Sequence, residues 1–195
     1  NPLISSIYYL YLLFKECGVM ETVANEELQL AFDFVQYTNR NVFLTGKAGT
    51  GKTTFLHNLK KITPKRMIVV APTGVAAINA GGVTIHSFFQ LPFCPYVPAV
   101  YLTGNTPSGS EPQKMLPEYR MSREKANIIR SLDLLVIDEI SMVRADTLDA
   151  VDAALRRYKN RSLPFGGVQL LMIGDLQQLA PVVKDDDRVI IDTYY

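Results

Sequence analysis

The sequence predicts an α/β chain: a parallel sheet with helices on both faces. Three observations carry this. Val42-Phe43-Leu44, MIVVA at 67–71, LDLLVID at 132–138 and VQLLMIG at 168–174 are nearly continuous apolar runs, as strands buried on both faces are. Between them, apolar residues recur at helical spacing, and strands that alternate with helices pair in parallel. Finally, GKAGTGKTT at 46–54 follows the first run directly and leads into Phe55, Leu56 and Leu59, so a glycine-rich loop joins a strand to a helix.

Each element has its own justification. Leu28, Ala31, Phe32 and Val35 form one helical face, with Asn25 as N-cap and Glu26 and Glu27 suited to the positive helix end. Leu148, Val151, Leu155 and Tyr158 mark an amphipathic helix starting near Asp146. Residues 91–119, LPFCPYVPAVYLTGNTPSGSEPQKMLPEY, carry too many prolines for a long helix and read as an insertion at the edge of the core, holding a short hairpin around AVYLTGN. Asp185, Asp186 and Asp187 read as a solvated loop, and His57 as a surface residue.

The chain has 195 residues, 48% of them hydrophobic and 20% charged, which belongs to the globular class. Its 20 basic and 19 acidic residues leave a net charge of +1, so the whole chain carries no signal for nucleic acid or membrane and any DNA surface must be local. Cys17 and Cys94 lie far apart without metal-ligand spacing, which fits a reducing cytoplasm, the expected location. The apolar stretch from Leu3 to Phe14 falls short of the roughly 20 residues that span a bilayer. Met20 reads like a start, so residues 1–19 are upstream translated sequence, a short docking helix or a secretory apolar region. Residues 20–195 form one domain, and the chain reads as a fragment.

The loop fits G-x-x-x-x-G-K-[ST] through Gly46, Gly51, Lys52 and Thr53. Its residues Gly46, Lys47, Ala48, Gly49, Thr50, Gly51, Lys52, Thr53 and Thr54 are the candidate ATP-binding set, because a helix N-terminus offers backbone N–H groups and a favourable dipole to phosphate. Lys52 is placed against the outer phosphates, and the Thr53 hydroxyl on Mg²⁺. Asp138 and Glu139 end a buried strand at the sheet edge where α/β ligands bind. Asp138 then holds Mg²⁺ and Glu139 deprotonates the attacking water. None of Arg144, Arg156, Arg157 and Arg161 stands in an arginine-finger context, so that group is expected beyond Tyr195 or on a partner.

Three further segments, APTGVAA at 71–77, TIHSFFQLP at 84–92 and GDLQQLAP at 174–181, stand in order with GKAGTGKTT and VIDEIS. Together they resemble the superfamily-one helicases, and PFGGVQLLMIGDLQQLAP narrows the resemblance to the Pif (petite integration frequency) family and its bacterial relatives. The likeness runs from about Asn25 to about Val183 and implies the first RecA-like lobe of a two-lobed enzyme, the second lobe being absent. It implies an ATP-dependent helicase moving 5′ to 3′ on single-stranded DNA and separating duplexes or quadruplexes, with roles in repair, recombination and telomere or genome maintenance. Gln178 would sense the γ-phosphate and Gln29 would contact adenine. Pro72, Thr73, Gly74, His86, Ser87 and Phe88 would line the DNA channel, although both Phe88 and His86 are equally read as core residues. The 91–119 insertion falls where relatives carry a small wedge near the fork. RecD-like or relaxase-type helicases share several of these motifs. An AAA-type switch or loader shares the loop and the acid pair, but TIHSFF and GDLQQLAP count against it. A small-molecule kinase would need an acceptor pocket and lid, and the sequence has no motif for either.

Overall fold

The computed structural model describes residues 26–47, 49–97 and 121–195. Among them, β1 (Val42–Thr45), β2 (Met67–Ala71), β3 (Val83–Thr84), β4 (Leu134–Ile137) and β5 (Gln169–Gly174) form one fully parallel sheet in the spatial order β1-β5-β4-β2-β3. The expected α/β architecture is present.

The apolar runs lack polar alternation because both faces of the sheet are covered. In β4, Leu134 and Val136 join Leu44, Leu56, Leu59, Leu171 and Ile173 in one core layer. Leu135 and Ile137 join Ile85, Phe88, Ile129, Leu155 and Leu170 in the other. This is the two-residue period of a strand with no solvent face. Helices α1 (Glu26–Tyr37) and α2 (Lys52–Ile62) close the first layer through Val35, Phe55 and Leu59. Beside them, α3 (Gly74–Asn79) follows β2. The second layer is closed by α4 (Ile85–Phe89), α5 (Arg123–Ser131) and α6 (Ala145–Tyr158).

Side-chain caps set several of these starts. Thr73 Oγ1 accepts from Ala76 N, Thr84 Oγ1 from Ser87 N and Ser122 Oγ from Lys125 N, satisfying amides that would otherwise lack a partner. At the amino edge of the sheet the buried Gln169 is fully engaged. Its Oε1 accepts from Lys65 Nζ at 2.6 Å and its Nε2 donates to Arg40 O at 2.6 Å, so the polar group buried there leaves no unmet bond.

The structure differs from the sequence expectation at the carboxyl end. Asp185, Asp186 and Asp187 are the first turn of α7 (Asp185–Tyr194), not a loop. Acidic residues suit the positive end of a helix, and Asp187 is ion-paired with Arg144 at 3.0 Å. Short β3 and helices α3, α4, α5 and α7 add to the expected elements. Asn25, residues 1–19 and the hairpin expected around AVYLTGN lie outside the described residues, as does most of the 91–119 insertion. His57 is exposed. No helix among the described residues is long and apolar enough to cross a membrane.

Register brings the carboxyl ends of four strands to one edge. Thr45 lies beside Gly174, Ile137 beside Met172, and Val70 beside Ile137. The phosphate loop and the acid pair both leave the sheet there.

Candidate functional site

The phosphate loop passes from β1 into α2 without a spacer. Gly49 and Gly51 take φ of +81° and +89°, a region that side chains other than hydrogen occupy at a cost. The first amides of α2, at Lys52, Thr53 and Thr54, have no intrahelical acceptor and face the loop. Lys52 Nζ folds back to donate to the carbonyls of Gly46 and Lys47, the latter at 2.9 Å, and Thr50 Oγ1 donates to Lys47 O at 2.9 Å. Thr53 and Thr54 are exposed. Ala48 lies outside the described residues. Leu28 brings α1 against the loop, since a Cβ at Gly51 would lie 3.6 Å from Leu28 Cδ1. Gln29, the next residue, is half-buried and donates to Asp33 Oδ1 at 2.9 Å, while burial pushes the Asp33 carboxyl above its ordinary pKa.

The acid pair leaves β4 at the same edge. Asp138 continues the ladder by donating its N–H to Val70 O at 2.9 Å. Burial holds its carboxyl above the ordinary carboxylate range, and the neighbouring Glu139 charge adds to this. The Glu139 backbone N–H and the cations of Lys52 and Lys60 oppose it. That coupling places Asp138 within electrostatic reach of the loop lysine. Glu139 sits at φ +53° and ψ +47°, then the chain turns through a 3₁₀ segment, Ile140–Met142. A left-handed non-glycine residue is strained and points to a surrounding structure that fixes it.

Beyond β5, Asp175 organises the segment that carries Gln178. The aspartate is buried. Its Oδ2 accepts from Gln178 Nε2 at 3.0 Å, its Oδ1 from Gln177 N at 3.0 Å, and its carbonyl from Gln178 N at 3.0 Å. The structure thus braces Gln178 on a residue that sequence reasoning did not single out. The available signal was a carboxylate directly after a strand at the binding edge.

The expected DNA-lining residues divide. Thr73 caps α3, Pro72 is half-buried and Gly74 is exposed, with nothing within 4 Å of an added Cβ. Ser87 is exposed and its carbonyl accepts from Lys125 Nζ at 2.6 Å. Phe88 does not present a surface ring: it is buried at 6% exposure, edge-on to Phe89. With only five residues, α4 turns Ile85, Phe88 and Phe89 into the core and leaves His86 half-buried and Ser87 exposed. An exposed ring does stand beside this segment: Phe93 is 84% exposed and stacked on His86 with centroids 5.0 Å apart and planes 12° apart. The missed signal was an aromatic after the proline of QLPF.

Asp146 ties this segment to the start of α6, the helix that follows the turn after the acid pair. It is buried, pairs with Arg144 at 2.6 Å and accepts from Tyr96 N at 3.1 Å. Burial lowers the pKa of His86, Arg144 lowers it further, and Asp146 works the other way. Arg144 is held by Asp146 and Asp187, and Arg156 by Asp152.

The PFGG segment has a backbone reason. Phe165, Gly166 and Gly167 all take positive φ, and a Cβ on Gly166 would lie 2.7 Å from Leu155 O. The turn can lie against α6 only because position 166 has no side chain.

The PIF1-like helicase family matches residues 24–194. The ATP-dependent DNA helicase PIF1 of Saccharomyces cerevisiae is 37% identical over 153 residues, covering 76% of this chain and 16% of that protein. The ATP-dependent DNA helicase Pif1 of Bdellovibrio bacteriovorus is 32% identical over 196 residues, covering 94% of this chain and 41% of that protein. Among solved structures, Bacteroides Pif1 bound to single-stranded DNA is similar with a TM-score of 0.77 at 45% identity, over 90% of this chain and 37% of that one. Pif1 helicase from Bacteroides in complex with ADP-AlF3 and single-stranded DNA gives 0.78 at 45% identity. The chain spans less than half the length of these relatives, and its sheet corresponds to their first RecA-like lobe. A phosphate loop, an acid pair and a braced glutamine on one sheet edge, in a fold shared with these proteins across nearly its whole length, make this chain a member of the PIF1-like helicase family.

Proposed function

We propose that this lobe binds and hydrolyses ATP and, within a complete two-lobed enzyme, couples hydrolysis to 5′-to-3′ movement on single-stranded DNA and to strand separation. The observation that carries the reading is the convergence of Lys52, Asp138, Glu139 and Gln178 at one sheet edge, with Asp138 in electrostatic reach of Lys52. In this reading the amides of residues 49–54 cradle the phosphates and Lys52 leaves its loop carbonyls for the outer phosphates. Glu139 orients the attacking water and takes its proton, and Gln178, braced on Asp175, contacts the γ-phosphate. Gln29 reaches adenine by giving up Asp33.

Magnesium fits the donor set. Thr53 and Asp138 supply a hydroxyl and a carboxylate, hard oxygen donors, and Mg²⁺ characteristically uses one or two carboxylates with phosphates rather than an all-protein cage. When bound, Mg²⁺ neutralises charge developing on the phosphates.

Thr73, Gly74, His86, Ser87 and Phe93 form the strand-gripping face in this reading, with Pro72 shaping its start. Phosphate contacts come from backbone and hydroxyl groups, and stacking from the open face of Phe93. This reading sets the protein in a bacterial cytoplasm, with genome repair and recombination as the duty served; the Bdellovibrio and Bacteroides relatives fit a bacterial source, and the Saccharomyces relative shows that the likeness extends beyond bacteria.

The test is ATP hydrolysis by the full-length protein with and without single-stranded DNA, alongside Lys52→Ala. Stimulation by DNA that Lys52→Ala abolishes is expected; hydrolysis indifferent to DNA would favour an ATP-driven switch instead. The 195 residues alone should bind nucleotide weakly and fail to unwind, and strand separation by the isolated chain would overturn that part.

A further inference from the structure

Because basic and acidic residues nearly cancel, 20 against 19, a patch of one sign must be built by particular residues. An open cleft of about 430 Å³ between α5 and α6 is such a patch, lined by Arg123, Asn127, Arg130, Arg157, Tyr158 and Met121 among others. Positions 123, 127 and 130 recur at helical spacing and share one face of α5.

Among the described residues, the ion pairs are Arg66–Asp133, Arg144–Asp146, Arg144–Asp187 and Arg156–Asp152, and none of them involves the cleft arginines. Arg130 donates to Asn127 Oδ1 at 2.9 Å, and Arg157 lies 5.7 Å over the centre of the Tyr158 ring. Both partners are neutral. They orient a guanidinium without cancelling it, and three like charges around one cleft favour an anion that each can grip in a bidentate way.

We propose that this cleft holds the sugar–phosphate backbone of double-stranded DNA. The inference rests on the DNA-motor reading and extends it to the paired arm of a junction. Grooves for single strands combine positive charge with open aromatic faces. Among the described residues the one ring lining the cleft is Tyr158, whose hydroxyl accepts from Met121 N at 3.2 Å and whose face lies under Arg157. Arginines without a stacking platform suit paired DNA, which is gripped largely through its phosphates. The cleft is also tied to the strand-gripping face, because Lys125 of α5 donates to Ser87 O at 2.6 Å.

The experiment uses the full-length protein and its variant carrying Arg123→Ala, Arg130→Ala and Arg157→Ala. Affinity is measured against salt on a single-stranded oligonucleotide and on the same strand with a duplex arm. Removing one phosphate-neutralising arginine should flatten the slope of log affinity against log salt by about 0.9 on duplex, so the variant's slope on the armed substrate should flatten by about 2–3. Binding of the single strand and hydrolysis stimulated by it should match the parent, and the triple Lys variant should recover most of the slope. Equal flattening on both substrates would put single strand in the cleft, and no flattening on either would put no DNA there; both overturn the proposal. If the parent protein bound neither DNA, this proposal would fall together with the motor reading.

Discussion

Gly174, the last residue of β5, lies directly against Ile140 in the turn that follows the acid pair. A Cβ at position 174 would sit 2.9 Å from Ile140 Cγ2, 3.0 Å from Ile140 N and 3.2 Å from Ser141 N. Two of these neighbours are backbone, so they can yield only by moving the turn that holds Glu139. Gly174→Ala should therefore cost about 1–3 kcal/mol, the usual penalty for overpacking, and should slow ATP hydrolysis as well. Urea denaturation with parallel rate measurements checks both; an unchanged midpoint would mean the turn is softer than this contact implies.

Ionised Asp138 works against the stability of the fold. Its folded pKa lies above the ordinary 3.8, first through burial and then through Glu139. The folded state therefore binds the proton more tightly than the unfolded state, and the group's contribution to stability rises as pH falls through that interval. At neutral pH the ionised carboxylate works against folding. Asp138→Asn should raise the melting temperature at pH 7 without nucleotide and cut hydrolysis by about 10²-fold or more, the scale for losing one preorganised electrostatic group. A lower melting temperature would contradict the account.

His86 has the opposite pH sense. Burial and Arg144 hold its pKa below the ordinary 6.5, with Asp146 pulling back. The unfolded state binds more protons, so the contribution is complete above about pH 6.5 and is eroded as pH falls below it. The difference in melting temperature between about pH 7.5 and 5.5 should shrink in His86→Asn relative to the parent. Equal pH sensitivity in the two proteins would remove His86 from the explanation.

Phe93 and Phe88 make a contrasting pair. Phe93→Ala should leave the fold intact and weaken single-stranded DNA binding by about 1–3 kcal/mol, the measured range for one base–aromatic stack, while Phe93→Tyr should retain binding. Phe88→Ala empties a core position and should cost about 3–5 kcal/mol of stability. Thermal melts and DNA titrations of the three variants separate the two roles, and wild-type DNA affinity in Phe93→Ala would remove the ring from the binding face.

The two glycines of PFGG should also differ. At Gly166 an added Cβ meets the Leu155 carbonyl at 2.7 Å, whereas at Gly167 it meets the Leu163 side-chain end at 3.0 Å. Both alanines bear the left-handed backbone penalty of roughly 1–2 kcal/mol, but only Gly166→Ala must also displace α6. Its denaturation midpoint should fall further than that of Gly167→Ala, and equal midpoints would count against the close approach.

What the sequence made legible follows from how each signal arises. The four long strands and the phosphate loop could be read because burial on both faces leaves continuous apolar runs and because glycine is needed where the backbone turns left-handed. β3 was invisible, since two residues, Val83 and Thr84, carry no period. The acidic start of α7 resembled a solvated loop because three aspartates reveal nothing of the Arg144 pairing that fastens one of them. In TIHSFF, spacing could not divide the aromatics between core and surface, since a helix this short offers barely more than one turn. Asp175 and Phe93 did leave local signals, a carboxylate directly after a strand and an aromatic after a proline, but their contacts with Gln178 and His86 are fixed by turns that a linear pattern does not reveal.

Among the described residues β1 pairs with β5 and with no other strand, Val42 standing opposite Leu171. An allied hydrogen bond, from Leu170 N to Asn41 Oδ1, closes a chain separation of 129 residues. Closing so long a loop is entropically slow, and contacts of this range come late in folding. The strand that launches the phosphate loop therefore gains its lateral partner only after β5 has been synthesised. A chain emerging from the ribosome can assemble β2, β3 and β4 well before it can present a finished nucleotide cradle, so acquisition of nucleotide affinity would mark completion of the lobe rather than its beginning.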